Sequence, residues 1–365
     1  MISAMPPTAS PPPFVKLLGI AVLLIAGLVA FLRQGTPANV PSAGNNQAPA
    51  APNPDRRPDG SAASATVPAT GAEIRLGSWN IEWLGKPEDR SGPAKGVAQD
   101  PADLAAVVVA SGVDVLALQE IVVPKPGRPL RSREVEAMLA SVEKRTSQRW
   151  GYVLFPGRAD GDQLTGVAWN TAKVRPLTGD NRPWDQASSS PYALPIARGR
   201  SASGTAMWNR PPHAMKFSAG ERRTDFVVIV LHMKADYNGD FAAHRREEAA
   251  ALAGVLGDVT RSMRDQDIVL LGDTNITASD EPALAAFTGA GYRDLNRAAA
   301  ATTWRGSTMD RIFVPDSQPE FKASRFEVVT ESRLPGAKLD AREYKRRYSD
   351  HYMVVSSVRV GEDDD

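Results

Sequence analysis

The chain has 365 residues, no cysteine, and a formal net charge of +1 from 43 basic and 42 acidic side chains. The missing thiols exclude disulfides, zinc–thiolate centres and a cysteine nucleophile. So even a balance argues against a protein that coats nucleic acid by bulk charge, and leaves room only for local basic patches. Residues 1–16 are a short flank. Residues 17–32 form an unbroken run of sixteen apolar or glycine residues between Lys16 and Arg33. That length falls between the roughly 7–15 residues of a signal-peptide core and the roughly 20 of a spanning helix. Phe31, Leu32 and Arg33 offer no small-x-small cleavage site, so the run reads as a retained transmembrane anchor, with a cleaved signal as the alternative. Residues 33–72 are rich in Pro, Ala, Gly, Ser and Asn and read as a disordered linker, because they cannot offset their ordering entropy by burial. The folded part is therefore expected outside the cytoplasm, tethered to the membrane, or secreted if the segment is cleaved.

Residues 73–360 alternate strand and helix patterns. Residues 74–81 read as a strand. Asp100 caps a helix with Pro101 in its first turn, running to Ala110 and stopping at Gly112. A buried strand at 113–118 and an amphipathic helix at 132–146 follow. Strands are predicted at 152–155, 165–170, 214–218 and 225–231, then a long helix at 241–263 and a strand at 267–271. A helix at 281–288 and strands at 311–314 and 352–360 complete the domain, and 361–365 is an acidic tail. Several neighbouring strands lack a helix between them, which favours an α/β sandwich with mixed sheets over a doubly wound parallel sheet. Two stretches read as long irregular loops. The first, 176–212, carries Arg182, Arg198, Arg200 and Arg210 with Trp184, Tyr192 and Trp208; the second, 333–349, carries Lys338, Arg342, Lys345, Arg346 and Arg347.

Polar residues interrupt the ends of two apolar strands. DVLALQE (114–120) ends on Glu120, and DIVLLGDTN (267–275) ends on Asp273, Thr274 and Asn275. In an extended segment Asp273 and Asn275 point the same way. With Glu120 they form an oxygen-rich set suited to a hard cation such as Mg²⁺. Taken singly, each is equally a turn acid or a turn-stabilising amide. Of the four histidines, His232 ends the strand DFVVIVLH and His351 follows Asp350 at the start of the last strand. His244 reads as part of a solvated helix face, and His213 as structural. Asp310 opens DRIFV, where it could orient an imidazole.

The segments SWNIEW (78–83), LALQE (116–120), VLHMKA (230–235), LLGDTN (270–275), STMDRIFV (307–314) and YSDHYMV (348–354) share an order and spacing. In both they resemble the endonuclease/exonuclease/phosphatase superfamily, which includes deoxyribonuclease I, exonuclease III-like repair nucleases, inositol-polyphosphate phosphatases and bacterial sphingomyelinases. The resemblance covers the whole globular part and not residues 1–72. It implies a deoxyribonuclease I-like, four-layer α/β (α+β) sandwich: two packed mixed β-sheets flanked by helices. It implies metal-dependent hydrolysis of phosphodiester bonds with Mg²⁺, or Mn²⁺ or Ca²⁺. By the same resemblance Glu120 and Asp350 are metal ligands, and Asn80 supports metal and substrate. Asp273 and Asn275 contact the attacking water and a phosphate oxygen. His351 is the catalytic base oriented by Asp310, His232 bonds the phosphate, and Arg210 of NRPP binds it. One departure stands out. Where deoxyribonuclease I-like members pair a Glu with the second histidine, the slot here falls near Gln163, so His232 is expected to position rather than protonate.

Among substrates, nucleic acid is the first expectation, because the two basic, aromatic-bearing loops flank the site in sequence. A phospholipid or sphingomyelin phosphodiesterase comes second, suggested by the tether, and a phosphomonoesterase third. TMDR stands where phosphoinositide phosphatases usually carry a WCDR-like stretch. A non-catalytic binding protein retaining the fold is the alternative of another class. A monomer is expected.

Overall fold

The computed structural model describes residues 72–363, apart from 125, 126, 128, 160, 161, 237, 238 and 337. The expected anchor at 17–32 and the linker up to residue 71 lie outside the described residues, as does the end of the acidic tail. Among the described residues no helix is long and apolar enough to cross a membrane.

In chain order the strands and helices are β1 (Glu73–Leu84), α1 (Pro101–Ser111), β2 (Val115–Val122), α2 (Arg133–Thr146), β3 (Trp150–Leu154), β4 (Gln163–Asn170), β5 (Arg175–Leu177), β6 (Tyr192–Ala193), β7 (His213–Ser218), β8 (Asp225–His232), α3 (Ala242–Met263), β9 (Ile268–Asp273), α4 (Pro282–Gly289), β10 (Tyr292–Asp294), β11 (Asp310–Pro315), β12 (Glu327–Val329), α5 (Ala341–Arg347) and β13 (Met353–Arg359). Local chemistry sets the helix ends. Asp100 accepts the Ala102 N–H at 2.7 Å, and Gly112 closes α1 with φ 66°. Ser132 caps α2 by accepting the Val135 N–H at 3.2 Å. Val135, Met138, Leu139 and Val142 then fall on one buried face of α2, as 3.6-residue periodicity requires.

One sheet has the order β12-β13-β1-β2-β4-β3. The other has the order β10-β11-β9-β8-β7-β5, with β6 also on β7. Both are mixed: β1 runs parallel to β2 and β8 to β9, and the remaining pairs are antiparallel. Alternation along the strands sorts apolar side chains into three cores. Ile74, Leu76, Val115, Ala117, Val228, Val230, Val269, Leu271, Ile312 and Val354 meet between the sheets. Trp79, Ile81, Leu116 and Leu118 face the buried sides of α1 and α2. Val227, Ile229, Leu270 and Phe313 face α3 and α4. The result is helix, sheet, sheet, helix, the expected four layers.

The elements missing from the sequence reading are short ones. β5, β6, β10 and β12 have two or three residues each, too few to show an alternation. The stretch 333–349, expected to be irregular, contains α5. Asp340 caps it by accepting the Glu343 N–H at 2.7 Å, and AREYKRR has only Tyr344 as a large apolar residue to signal a helix.

Candidate active site

The inter-sheet face of each strand continues past its last apolar residue into a polar one. On β8 the sequence Val228, Val230, His232 stays on that face; on β9 so does Val269, Leu271, Asp273, and on β11 Ile312 is preceded by Asp310. On β1, Ile74 and Leu76 lead to Asn80 in the same way. Glu120 does not follow from alternation, because its parity is that of Leu116 and Leu118, which face the helices. A register shift between Leu118 and Ile121, with Glu120 at φ 61°, turns it toward the other four. Gly272 lets β8 and β9 close up beside this point, since a Cβ there would lie 2.0 Å from the Leu231 carbonyl oxygen.

Hydrogen bonds join these residues across the two sheets. The Asn80 amide donates to Glu120 Oε1 at 3.1 Å and to Asp273 Oδ2 at 2.9 Å, and the Trp83 N–H donates to Glu120 Oε2 at 3.1 Å. His232 Nε2 lies 3.7 Å from both Glu120 Oε1 and Asp273 Oδ2. His351 Nδ1 bonds Asp310 Oδ2 at 2.8 Å, which fixes the tautomer and leaves Nε2 facing Asp273 Oδ2 at 3.9 Å. The His351 backbone is held as well: its carbonyl accepts the Trp79 indole N–H at 3.0 Å and its N–H donates to Ser349 Oγ, which itself bonds the Asn80 carbonyl at 2.6 Å.

Electrostatics mark the same residues. Burial, reinforced by the nearby Asp350 charge, pushes the Glu120 carboxyl up to about 7. Burial, with Asp310 adding to it and His351 opposing, pushes Asp273 up to about 6. Burial also disfavours charge on His351, but Asp310, Asp273 and Asp350 together outweigh it and hold the imidazolium well above its ordinary range. For His232, burial is joined by the charges of Arg210 and His351, and its pKa falls well below the ordinary value. It is therefore neutral near pH 7. The ligand atoms of Glu120, His232 and Asp273 lie within 4.8 Å of one another, as do those of Asp273, Asp310 and His351. Carboxyls pushed up by burial and by neighbouring carboxylates, beside the Asn80 amide, are the donor set of a hard divalent ion, so these residues fit a metal such as Mg²⁺.

Several expectations need correcting. Asn275 lies beyond the end of β9 with φ 54°, so period-two alternation does not apply to it. Its N–H donates to Asp273 Oδ1 at 2.9 Å and its amide to the Met233 carbonyl at 3.1 Å, which orients Asp273. Gln163 does not pair with His232; it accepts a hydrogen bond from Arg210. The basic loops are partly neutralised: Arg182 pairs with Asp180, Lys345 with Glu82, Arg346 with Glu343 and Arg347 with Asp103. Trp208 is fully buried, and Trp184 packs edge-on against Trp169. His244 is no solvated residue, for its Nε2 bonds the Met207 carbonyl at 2.8 Å.

Sequence reasoning missed Glu82 and Arg90, and took Lys345 for a cation of the basic loop. Lys345, fully buried, is ion-paired with Glu82 and lies 3.5 Å from Asp350 Oδ2. Buried Arg90 bonds Glu82 at 3.1 Å and donates to the carbonyls of Lys345 and Tyr348 at 2.9 and 3.2 Å. Together they fix the segment that delivers Asp350 and His351. The only signal in the sequence was a Glu directly following the Asn80-Ile81 pair.

The Endonuclease/Exonuclease/phosphatase family profile matches residues 77–351. Among curated proteins none matches the sequence. An endonuclease/exonuclease/phosphatase family protein from Bacteroides thetaiotaomicron is similar in structure at 15% identity and TM-score 0.52, covering 80% of this chain and 99% of the other. The endonuclease/exonuclease/phosphatase from Bacteroides vulgatus is similar at 15% identity and TM-score 0.51, covering 79% and 98%. The human Nocturnin catalytic domain with bound sulfate anion follows at 17% identity and TM-score 0.50, covering 78% and 92%. At such identities the structures speak to the fold, and the family rests on the profile. Because that profile runs through both sheets and every site residue from Asn80 to His351, the chain belongs to the Endonuclease/Exonuclease/phosphatase family and is a nuclease-like hydrolase of phosphoester bonds.

Proposed function

We propose that the chain is a divalent-metal-dependent phosphodiesterase that cleaves nucleic acid, held outside the cytoplasm by its N-terminal apolar segment or released there if that segment is cut. The observation that carries the reading is the Asp310–His351 pair at 2.8 Å, with His351 Nε2 3.9 Å from the Asp273 carboxyl that Asn80 joins to Glu120. Glu120 and Asp350, with Asn80 in support, would hold Mg²⁺, Mn²⁺ or Ca²⁺. Such an ion supplies positive charge to the phosphate oxygens and offsets the mutual repulsion of the carboxylates.

The chain's own residues account for the rest. From its neutral form, which a bound cation would favour by offsetting the Asp273 and Asp350 charges that otherwise hold the imidazolium, His351 Nε2 takes a proton from the attacking water, while Asp310 keeps Nδ1 bonded and stabilises the imidazolium that forms. Asp273, steadied by the Asn275 N–H, orients that water. Neutral His232 and the guanidinium of Arg210 donate to phosphate oxygens as charge builds on them. The water oxygen forms the new P–O bond, the opposite P–O bond breaks, the leaving oxygen takes a proton from solvent, and an alcohol and a phosphomonoester are released. Arg210 has only a neutral Gln163 as hydrogen-bond partner among the described residues, so its charge stays available. One guanidinium beside one divalent ion suits the single charge of a diester better than the double charge of a monoester.

The test is hydrolysis by the full chain with Mg²⁺, Mn²⁺ or Ca²⁺ and an EDTA control, on plasmid DNA, RNA, sphingomyelin vesicles and a soluble phosphomonoester in parallel. Metal-dependent cleavage of nucleic acid that disappears in His351→Ala is the expected result. Headgroup release with intact nucleic acid would replace it with a lipid phosphodiesterase. Binding without turnover on any substrate would point to a non-catalytic member of the fold. For the location, protease added to intact expressing cells should digest the folded domain; full protection would refute an external site.

A further inference from the structure

The segments next to the site residues carry aromatic rings other than those nominated from the sequence. Three partly exposed rings each have a cation over them: Trp83 with Lys86 Nζ at 5.6 Å, Trp304 with the Arg305 guanidinium at 4.9 Å, and Phe241 with Lys234 Nζ at 4.3 Å. Each pair comes from a different segment and sits beside a site residue. The Trp83 N–H is bonded to Glu120. The Trp304 N–H donates to the Asp350 carbonyl at 3.0 Å, and neighbouring Thr303 bridges His351. Lys234 lies two residues past His232, and its N–H is fixed by buried Glu248 at 2.9 Å. Trp83 and Glu82 both adopt positive φ, 53° and 39°, a region a bulky residue occupies only when its surroundings hold it there.

We propose that these rings are stacking platforms for unpaired bases on either side of the scissile phosphate, and that the substrate is single-stranded or frayed nucleic acid rather than intact duplex. This rests on the nuclease reading above. An aromatic face accepts any base, but only one that has left its own stack. Intact duplex offers its phosphates instead, and binding them takes many free cations. Of the loop cations, Arg182, Lys345, Arg346 and Arg347 are tied to acidic partners, while Arg198, Arg200, Lys338 and Arg342 have no ion pair among the described residues. The cations next to the site residues are Lys234, Arg305 and Arg210, for none of which an ion pair occurs among the described residues; Lys86 is paired with Asp89. That supply suits a few phosphates near the cleavage point, with stacking providing the remaining affinity.

The experiment uses the full chain as His351→Ala, with Mg²⁺ present, so that substrate binds without being cut. Labelled single strands of DNA and RNA of about 12 nucleotides, within the footprint of stacking sites, are compared with duplexes of the same sequence by fluorescence anisotropy. Single strands should bind at least about tenfold more tightly and quench tryptophan emission. Adding Trp83→Ala or Trp304→Ala should weaken single-strand binding about tenfold each. Trp83→Phe and Trp304→Phe should keep the affinity and lose their share of the quench, which a merely structural role would not produce. Trp184→Phe, packed against Trp169, is the control and should change neither. Equal affinity for duplex and single strand, or alanine variants that bind like the parent, would overturn the proposal. If the active enzyme cuts both forms equally and ignores the tryptophan changes, the nuclease reading survives and the stacking proposal alone falls. If it cuts no nucleic acid in any form, both fall together.

Discussion

Strand β8 has a buried charged cluster at each end, and the two are completed in opposite ways. At its first residue, Lys216 Nζ lies 2.6 Å from Asp225 and 3.1 Å from Asp265, and donates to the carbonyls of Met263 and Arg264. Burial works against the Lys216 charge, but Asp225 and Asp265 outweigh it and hold its pKa above the ordinary value. At the last residue, His232 faces Glu120 and Asp273, neither of which has an ion pair to Lys or Arg among the described residues, and both carboxyls are pushed up. Desolvation is similar at the two ends. What separates a structural cluster from a ligand site is whether the protein supplies the counter-charge itself.

The largest expected effect breaks the comparison at the catalytic end. His351→Ala should lower turnover per folded molecule about 10²- to 10⁴-fold, the range for removing a general base. A loss under tenfold would remove His351 from that role. At the other end the order reverses. Lys216→Met should leave turnover per folded molecule intact but cost about 3–5 kcal/mol in denaturant unfolding, because buried Asp225 would lose its cation. A loss below about 1 kcal/mol would mean that water already reaches that cluster.

Glu120→Gln sharpens the contrast through pH. The Glu120 carboxyl sits at about 7 when folded against an ordinary 4.5. The folded state therefore keeps a proton that the unfolded chain releases between those values. In metal-free protein Glu120 thus costs about 3 kcal/mol above pH 7, and that cost fades as pH falls to about 4.5. Glu120→Gln should accordingly be more stable than the parent near pH 8 in EDTA, by about 2–3 kcal/mol, and equal to it near pH 4.5. Saturating Mg²⁺ should stabilise the parent and not the variant. A stability difference independent of pH would show that Glu120 is not the group that titrates.

The unequal legibility of the site has the same physical origin. Asp273, Asp310 and His232 were readable because they extend an alternating apolar strand by one more residue on the same face. Glu120 was readable only by resemblance, since alternation places it on the helix side and a bulge, invisible in residue type, turns it inward. The failures came from treating charge as local. Lys345, Arg346 and Arg347 form a basic run in sequence, yet Glu82, the partner of Lys345, and Asp103, the partner of Arg347, lie more than 240 positions away. Trp184 and Trp208 failed similarly, because a Pro- and Gly-rich stretch that looks irregular can still be packed, as Trp208 is. Long helices and central strands were legible, while strands of two or three residues exist only through the neighbour that pairs with them.

The smallest expected effect concerns Gln163, the hydrogen-bond partner of Arg210. If the amide serves to bind Arg210 without neutralising it, Gln163→Glu should form a partly buried ion pair that strengthens the fold by about 0.5–1 kcal/mol. It should also lower kcat/KM about tenfold, because the guanidinium would be shared between the new carboxylate and the phosphate. His232 offers the discriminating readout. It is neutral partly because Arg210 is charged beside it, and an acid at 163 would screen that charge and raise the His232 pKa toward its ordinary value. The His232 ring protons, followed by NMR against pH, should then titrate at higher pH in Gln163→Glu than in the parent. A rate loss without that shift would assign Gln163 to packing alone, whereas unchanged kinetics would remove Arg210 from the phosphate site.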